Sequence, residues 1–259
     1  MEKAAIFAAG LNSSINPPTM SDTRILAFSS SRTGNSAYLE TAAPVIGEFL
    51  GLSNLNIAFI PFASVDNQYD EYGAMVKKGL QQLPYNIEVA YGENARDLIE
   101  KSEVIMIGGG NTFKLLHHLY RYQLLDVIRE KVKAGTPYIG WSAGSNIAGA
   151  TIGTTNDMPI IEPKSFKAFR FFPFQINPHY LNQKLEGHNG ETRDQRLTEF
   201  AIINPGVPIV CLPEGTALQM KNGIVRFTGS VPGFVITSGN SRDVAKHEIL
   251  PEADLSYLL

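Results

Sequence analysis

A single cysteine in 259 residues rules out a disulfide framework. Cys211 lies inside "IVCLP" with no basic neighbour to depress its thiol, so it reads as a small buried strand residue and not as a nucleophile. Long apolar runs are also lacking: no window approaches the roughly 18 residues of a membrane-spanning helix. The first 19 residues carry a short apolar patch, but Glu2 beside Lys3 and the polar "NSSINPP" make a poor signal peptide. Met20 offers a second start. Residues 1–19 are therefore expected to be an extension or a cloning remnant outside the core fold, with residues 20–259 forming one catalytic domain.

Excess charge of one sign is scarce as well. Scattered along the chain, 22 Lys and Arg face 25 Asp and Glu, for a formal charge of -3. Neither a nucleic-acid surface nor a membrane surface is suggested, and the expected partner is a small molecule or peptide. The lack of a targeting signal points to a cytoplasmic location. There is no H-E-x-x-H motif, Cys/His ligand cluster or G-x-x-x-x-G-K-[ST] loop, so neither a metal nor another cofactor is expected.

What is present is alternation. Apolar, β-branched runs bounded by Gly, Pro or Asn ("RILAFSS", "NIAFIPF", "IEVAYG", "VIMIGGG", "PYIGWS", "PIVCLPE") alternate with longer amphipathic stretches. That is the pattern of strands and crossover helices in a mainly parallel α/β sheet. One long helix is expected over "NTFKLLHHLYRYQLLDVIREKVKAG". Towards the C-terminus, "ALQMKNGIVRFTG" reads as a β-hairpin turned at Asn222-Gly223, and "GFVITSG" with "RDVAKHEIL" as a last strand pair at an edge. No internal repeat or long linker interrupts the chain.

Gly140 to Gly144, "GWSAG", matches G-x-S-x-G, the strand-to-helix elbow in which small residues permit a sharp turn that exposes the serine, here Ser142. A serine hydroxyl needs a base. Of five histidines, His117 and His118 lie among leucines in a helical stretch and His247 lies in the edge region, which leaves His179 in "FQINPHYLN" and His188 in "LEGHNGETR". His179 follows an apolar run and a proline, so it is expected where a strand ends in a loop, the usual position of a catalytic group in an open α/β sheet. A carboxylate must orient the imidazole, and Asp157 in "GTTNDMPI" and Glu214 in "LPEGTAL" both qualify. The glycine run "IGGGNTF" ends one strand and opens a helix. Amides of Gly109 or Gly110 there would complement the Ala143 N–H as an oxyanion hole.

Taken together, "IGGGNTF", "YIGWSAGSN", "TTNDMPI", "FPFQINPH", "EGHNGETR" and "LPEG" occur in the order and approximate spacing of the peptidase E family of aspartyl dipeptidases. The chain resembles that family from about Arg24 to Gly229. The resemblance implies a three-layer α/β sandwich like that of class I glutamine amidotransferases. It also implies hydrolysis of the bond after an N-terminal aspartate in dipeptides, without a cofactor, and it admits a homodimer. Carried onto this sequence, it implies Ser142 as nucleophile, His179 as base and Asp157 as preferred triad acid, with Glu214 as second candidate. Arg193 is the implied holder of the aspartate side chain, since a guanidinium suits a planar carboxylate; Asn111 is a further substrate contact. Two positions depart from the family. Gly153 stands where bacterial members usually carry arginine, and Ser145 replaces the more usual alanine.

Two other readings compete with this one. One is a cyanophycinase-like hydrolase of β-aspartyl peptides on the same scaffold; the other is a non-catalytic binding module that kept the glycine loops.

Overall fold

The computed structural model describes residues 23–182, 189–239 and 243–259. The expectation for residues 1–19, and His188, lie outside the described residues. Among those described, no helix is long and apolar enough to cross a membrane.

Five strands follow the alternation read from the sequence: β1 (Ile25–Phe28), β2 (Leu55–Ile60), β3 (Tyr85–Val89), β4 (Val104–Ile107) and β5 (Tyr138–Trp141). They run parallel in the order β3-β2-β4-β5-β1. The hairpin β8 (Thr216–Lys221) and β9 (Ile224–Gly229) adds antiparallel beside β1, making seven strands. Its turn is at Asn222 and Gly223 (φ 54° and 73°), two left-handed residues in succession, which match the twist of the flanking strands.

Side chains alternate between two cores. Leu26, Phe28, Ile57, Phe59, Met106, Ile139 and Trp141 face one side, under α1 (Ala42–Leu50) and α2 (Tyr69–Gly79). Ile25, Ala27, Ile60, Ile105, Ile107 and Tyr138 face the other, under α3 (Ala95–Lys101), α4 (Thr112–Arg121) and α5 (Leu125–Lys133). Strands covered on both faces are why the parallel segments read as unbroken apolar runs. The α/β sandwich with a mainly parallel sheet is the architecture expected from the sequence.

Two expectations are corrected. The stretch read as one long helix is divided into α4 and α5 at Gln123, whose φ is 54°. Leu124 N–H closes the end of α4 by donating to Leu119 O at 2.9 Å. The break lets Leu116, Leu119, Leu124 and Ile128 all enter one core, and no glycine marks it. "PIVCLPE" does not join the main sheet. It forms β7 (Ile209–Cys211) in a second, four-stranded sheet, β11-β10-β7-β6, with β6 (Gln175–Asn177), β10 (Gly233–Ser238) and β11 (Val244–Ile249). Ile176, Val210 and Val235 of this sheet face the core shared with the main sheet, while Ile209, Cys211 and Ile236 face Leu197 and Ala201 of α7 (Arg193–Ile203). Cys211 is wholly buried, and burial pushes its thiol pKa up, as suits an inert strand residue.

Candidate active site

Neighbouring parallel strands deliver the first components. β4 and β5 pair with Ile107 opposite Gly140, so the loop after β4 and the turn after β5 emerge side by side at the carboxyl ends of the strands. Ser142 follows β5 with φ 54° and ψ -114°, a left-handed conformation that a non-glycine residue rarely adopts, and the short helix α6 (Ala143–Asn146) starts directly after it. The glycines around it have specific reasons. A Cβ on Gly144 would strike Ile107 O, and one on Gly109 would stand 2.9 Å from Ser142 Cβ. Gly110 (φ 132°) backs onto Ala63 O. Among the described residues the Gly109 and Gly110 N–H groups donate to no backbone carbonyl, and Ala143 opens a helix, where an N–H has no intrahelical acceptor.

The remaining pair comes from the second sheet. β6 and β7 are parallel, with Asn177 opposite Cys211, and the ladder continues through Leu212 N–H to Asn177 O at 2.9 Å and Tyr180 N–H to Leu212 O at 3.0 Å. His179 and Glu214 therefore leave adjacent strand ends together. His179 Nδ1 is 2.9 Å from Glu214 Oε1 and Nε2 is 2.9 Å from Ser142 Oγ. The histidine is itself left-handed (φ 51°), and its N–H donates to Ser29 Oγ at 2.9 Å, while that hydroxyl donates to Leu212 O at 2.8 Å.

Asp157, the preferred acid in the sequence reading, is not against the imidazole. Its Oδ2 accepts the N–H of Thr112 at 2.7 Å and the Thr155 hydroxyl at 3.2 Å, at the N-terminus of α4. A carboxylate is favoured there by the unpaired amides of the first helical turn. Glu214 takes the position beside His179 because β6 and β7 are neighbours, a long-range pairing that spacing does not reveal.

Arg193 is half-buried at the start of α7, and its Nη1 donates to Asn177 Oδ1 at 3.3 Å and His179 O at 3.4 Å. Burial, with Arg196 nearby, lowers its pKa, and Asp157 is among the groups that favour its charge. The two acids nearest in sequence are committed elsewhere, Glu191 to Arg196 and Asp194 to Lys246. Among the described residues Arg193 has no carboxylate within ion-pair distance. Asn111 is engaged by the protein: Oδ1 caps α4 by accepting Lys114 N–H at 3.0 Å, and Nδ2 donates to Met158 O at 2.9 Å.

An open cleft of about 570 Å³ leads to Ser142 and His179, lined also by Gly109, Gly110, Tyr38 and Tyr72. Its aromatic wall has no signature in the sequence beyond the Trp of "GWSAG". Trp141 Nε1 donates to Tyr38 Oη at 3.0 Å, Tyr38 to Tyr72 Oη at 3.1 Å, and Tyr72 to Gly109 O at 3.0 Å, a half-buried chain that ends on the glycine loop. Burial raises the pKa of both tyrosines, which keeps them neutral donors.

Neither departure disturbs the elbow. Ser145 is fully buried, its hydroxyl 2.6 Å from Phe28 O and 3.0 Å from Gly140 O, and it ties the turn to β1. At Gly153 a Cβ would stand 2.8 Å from Phe200 Cε2, so an arginine there would require that ring to move. His117 and His118 bond to the carbonyls of Glu162 and Lys114, and His247 is exposed on β11, all away from Ser142.

Residues 25–228 match the model of peptidase family S51. Peptidase E of Haemophilus influenzae (strain Rd) is 50% identical over 214 residues, covering 82% of this chain and 98% of that protein. Peptidase E of Nostoc sp. PCC 7120 is 46% identical over 237 residues, covering 91% and 96%. Among solved structures, a protein from Listeria monocytogenes EGD-e described as a peptidase E superposes with a TM-score of 0.63 at 25% identity, covering 81% of this chain and 99% of that one. A peptidase from an acI-B1 Actinobacterium shares the fold, with a TM-score of 0.64 at 15% identity over 90% and 96% of the two chains.

Proposed function

The chain belongs to peptidase family S51, and from that premise we propose that it is a serine-type dipeptidase that hydrolyses the bond after an N-terminal aspartate, with Glu214 as the triad acid. The observation that carries the reading is the unbroken chain from Ser142 Oγ through both nitrogens of His179 to Glu214 Oε1, with both contacts at 2.9 Å. In that chain Nδ1–H donates to Glu214, which leaves the Nε2 lone pair for the serine proton.

Ser142 Oγ attacks the carbonyl carbon of the aspartyl residue while His179 Nε2 removes its proton, and Glu214 stabilises the imidazolium. The oxyanion is held by Ala143 N–H and by N–H groups of Gly109 or Gly110, each donor contributing about 3 kcal/mol to the transition state. His179 then protonates the leaving amine, the C–N bond breaks, and an aspartyl ester remains on Ser142. Water, deprotonated by the same histidine, releases aspartate and restores the serine. Arg193, half-buried and without an acidic partner among the described residues, suits the aspartate side chain, with Asn111 holding the glycine loop and the 156–158 segment in register beside it. Residues 20–259 acting as one catalytic domain, a cytoplasmic setting and a homodimer belong to the same reading.

The test is hydrolysis of Asp-Leu, its β-linked isomer and Ala-Leu, beside Ser142→Ala. Cleavage of Asp-Leu alone, lost in the variant, is expected. Preference for the β-linked isomer would turn the reading to a cyanophycinase-like hydrolase. A protein that cleaves none of them and is not labelled by a serine-directed phosphonate would be a binding module.

A further inference from the structure

Lys114 is the third residue of α4, and only 8% of it is exposed, which is unusual for a lysine. Its ammonium carries three hydrogens and meets three acceptors: Phe62 O at 3.3 Å, Ser64 O at 2.5 Å and Tyr69 Oη at 2.9 Å. It also lies 5.0 Å from the centroid of the Tyr69 ring. Among the described residues no carboxylate comes within ion-pair distance of it. A buried ammonium is costly, and burial lowers its pKa, offset in part by the negative charge of Asp66 beyond ion-pair distance. Nothing in the reaction described above touches it.

What the ammonium holds is the turn that follows β2. Phe62 and Ser64 offer their carbonyls to Lys114 from either side of Ala63. The carbonyl of Ala63 points instead to the glycine loop, where it accepts Asn111 N–H at 2.8 Å and packs against Gly110 so closely that a Cβ would not fit. Ser64 itself lines the cleft that leads to Ser142. Lys114 is thus anchored at the start of α4 and clamps a segment that backs Gly110 and Asn111 of the glycine loop.

We propose that Lys114 is a positioning residue that keeps the Gly109 and Gly110 amides aimed at the oxyanion, without touching substrate. The inference rests on the serine-peptidase reading. Donors that are preorganised cost nothing to reorient at the moment of reaction, and small displacements of them are felt in turnover before they are felt in substrate binding.

The test uses the full chain, with Lys114→Met, which keeps the length of the side chain without its charge, and Tyr69→Phe, which removes one acceptor. Four quantities are compared: kcat and KM for Asp-Leu, aspartate binding, the rate of Ser142 labelling by a phosphonate, and thermal stability. Lys114→Met is expected to lower kcat and the labelling rate together by about 10–100-fold, with KM and aspartate binding within about twofold. Tyr69→Phe is expected to lower the same two rates by about threefold. A folded Lys114→Met that keeps both rates within twofold, or loses them only in proportion to unfolded protein, overturns the proposal. If Lys114→Met does not fold, unchanged rates in Tyr69→Phe overturn it. Wild-type protein that is labelled but does not cleave Asp-Leu would fail the substrate reading while the labelling rates still decide the role of Lys114. Wild-type protein that is not labelled would remove both.

Discussion

Glu214 Oε1 lies 2.9 Å from Nδ1 of His179, while Asp157 Oδ2 is bound by the backbone of Thr112 at 2.7 Å. Two carboxylates equally eligible by sequence thus have different work, one on the imidazole and one on a helix end. Glu214→Gln should lower kcat for Asp-Leu by about 10²–10⁴-fold, as loss of the orienting acid does in other triads. Asp157→Asn should cost about 1 kcal/mol of stability through the weakened helix-end bond, with a much smaller loss of kcat. Steady-state kinetics and thermal melts of the two variants check this. A larger kcat loss for Asp157→Asn than for Glu214→Gln would reverse the assignment.

Gly109 and Gly144 are both small for reasons of space, but the spaces differ. At Gly109 the added methyl group meets Ser142, 2.9 Å from its Cβ; at Gly144 it meets the carbonyl of Ile107 in the core. Gly109→Ala should therefore fold with a strongly reduced kcat. Gly144→Ala should be destabilised by about 1–3 kcal/mol, the usual cost of overpacking. Melting curves beside single-turnover rates distinguish the two, and equal melting temperatures would contradict the packing argument.

Arg193 is a half-buried cation without an acidic partner among the described residues. Arg193→Ala should raise KM for Asp-Leu and lower kcat/KM by about 10²–10³-fold, the loss of a desolvated charge pair worth roughly 2–5 kcal/mol. Any slow hydrolysis of Ala-Leu should change little. Arg193→Lys should recover only part of the loss, because an ammonium does not match both carboxylate oxygens. An equal loss on both dipeptides would assign Arg193 to holding His179 through its carbonyl.

Stability should fall as pH rises above 10. Tyr138 is fully buried and donates to Gly144 O at 2.5 Å, and Tyr72 and Tyr38 are half-buried beside Trp141. Burial raises the pKa of all three above the ordinary tyrosine value of 10.0. The unfolded chain then releases these protons first, so their contribution is complete below pH 10 and is lost progressively towards the folded-state values. Lys114, whose pKa is lowered by burial, contributes with the opposite sign, gaining as pH approaches the ordinary lysine range. Urea unfolding across pH 8–11 measures the sum. Tyr138→Phe should flatten the decline, and an unchanged slope would exclude Tyr138 from it.

Local chemistry was legible in the sequence. The parallel strands, the hairpin at Asn222-Gly223 and the elbow at Ser142 each depend on residues within a few positions of one another: apolar runs, two residues tolerant of positive φ, and glycines on either side of a serine. His179 at the end of a strand was also readable, because a proline closely follows the apolar run. The tertiary structure alone decided the remainder. Glu214 reaches His179 through the register of Asn177 with Cys211, residues separated by more than thirty positions. Among the described residues Arg193 is left without an acidic partner because Arg196 and Lys246 take Glu191 and Asp194. The break at Gln123 follows from the need to bury leucines on both sides of it, with no turn residue to announce it. Propensity and periodicity act over a turn of chain, whereas the partner of a carboxylate, a guanidinium or a buried ammonium is set by which strands lie side by side.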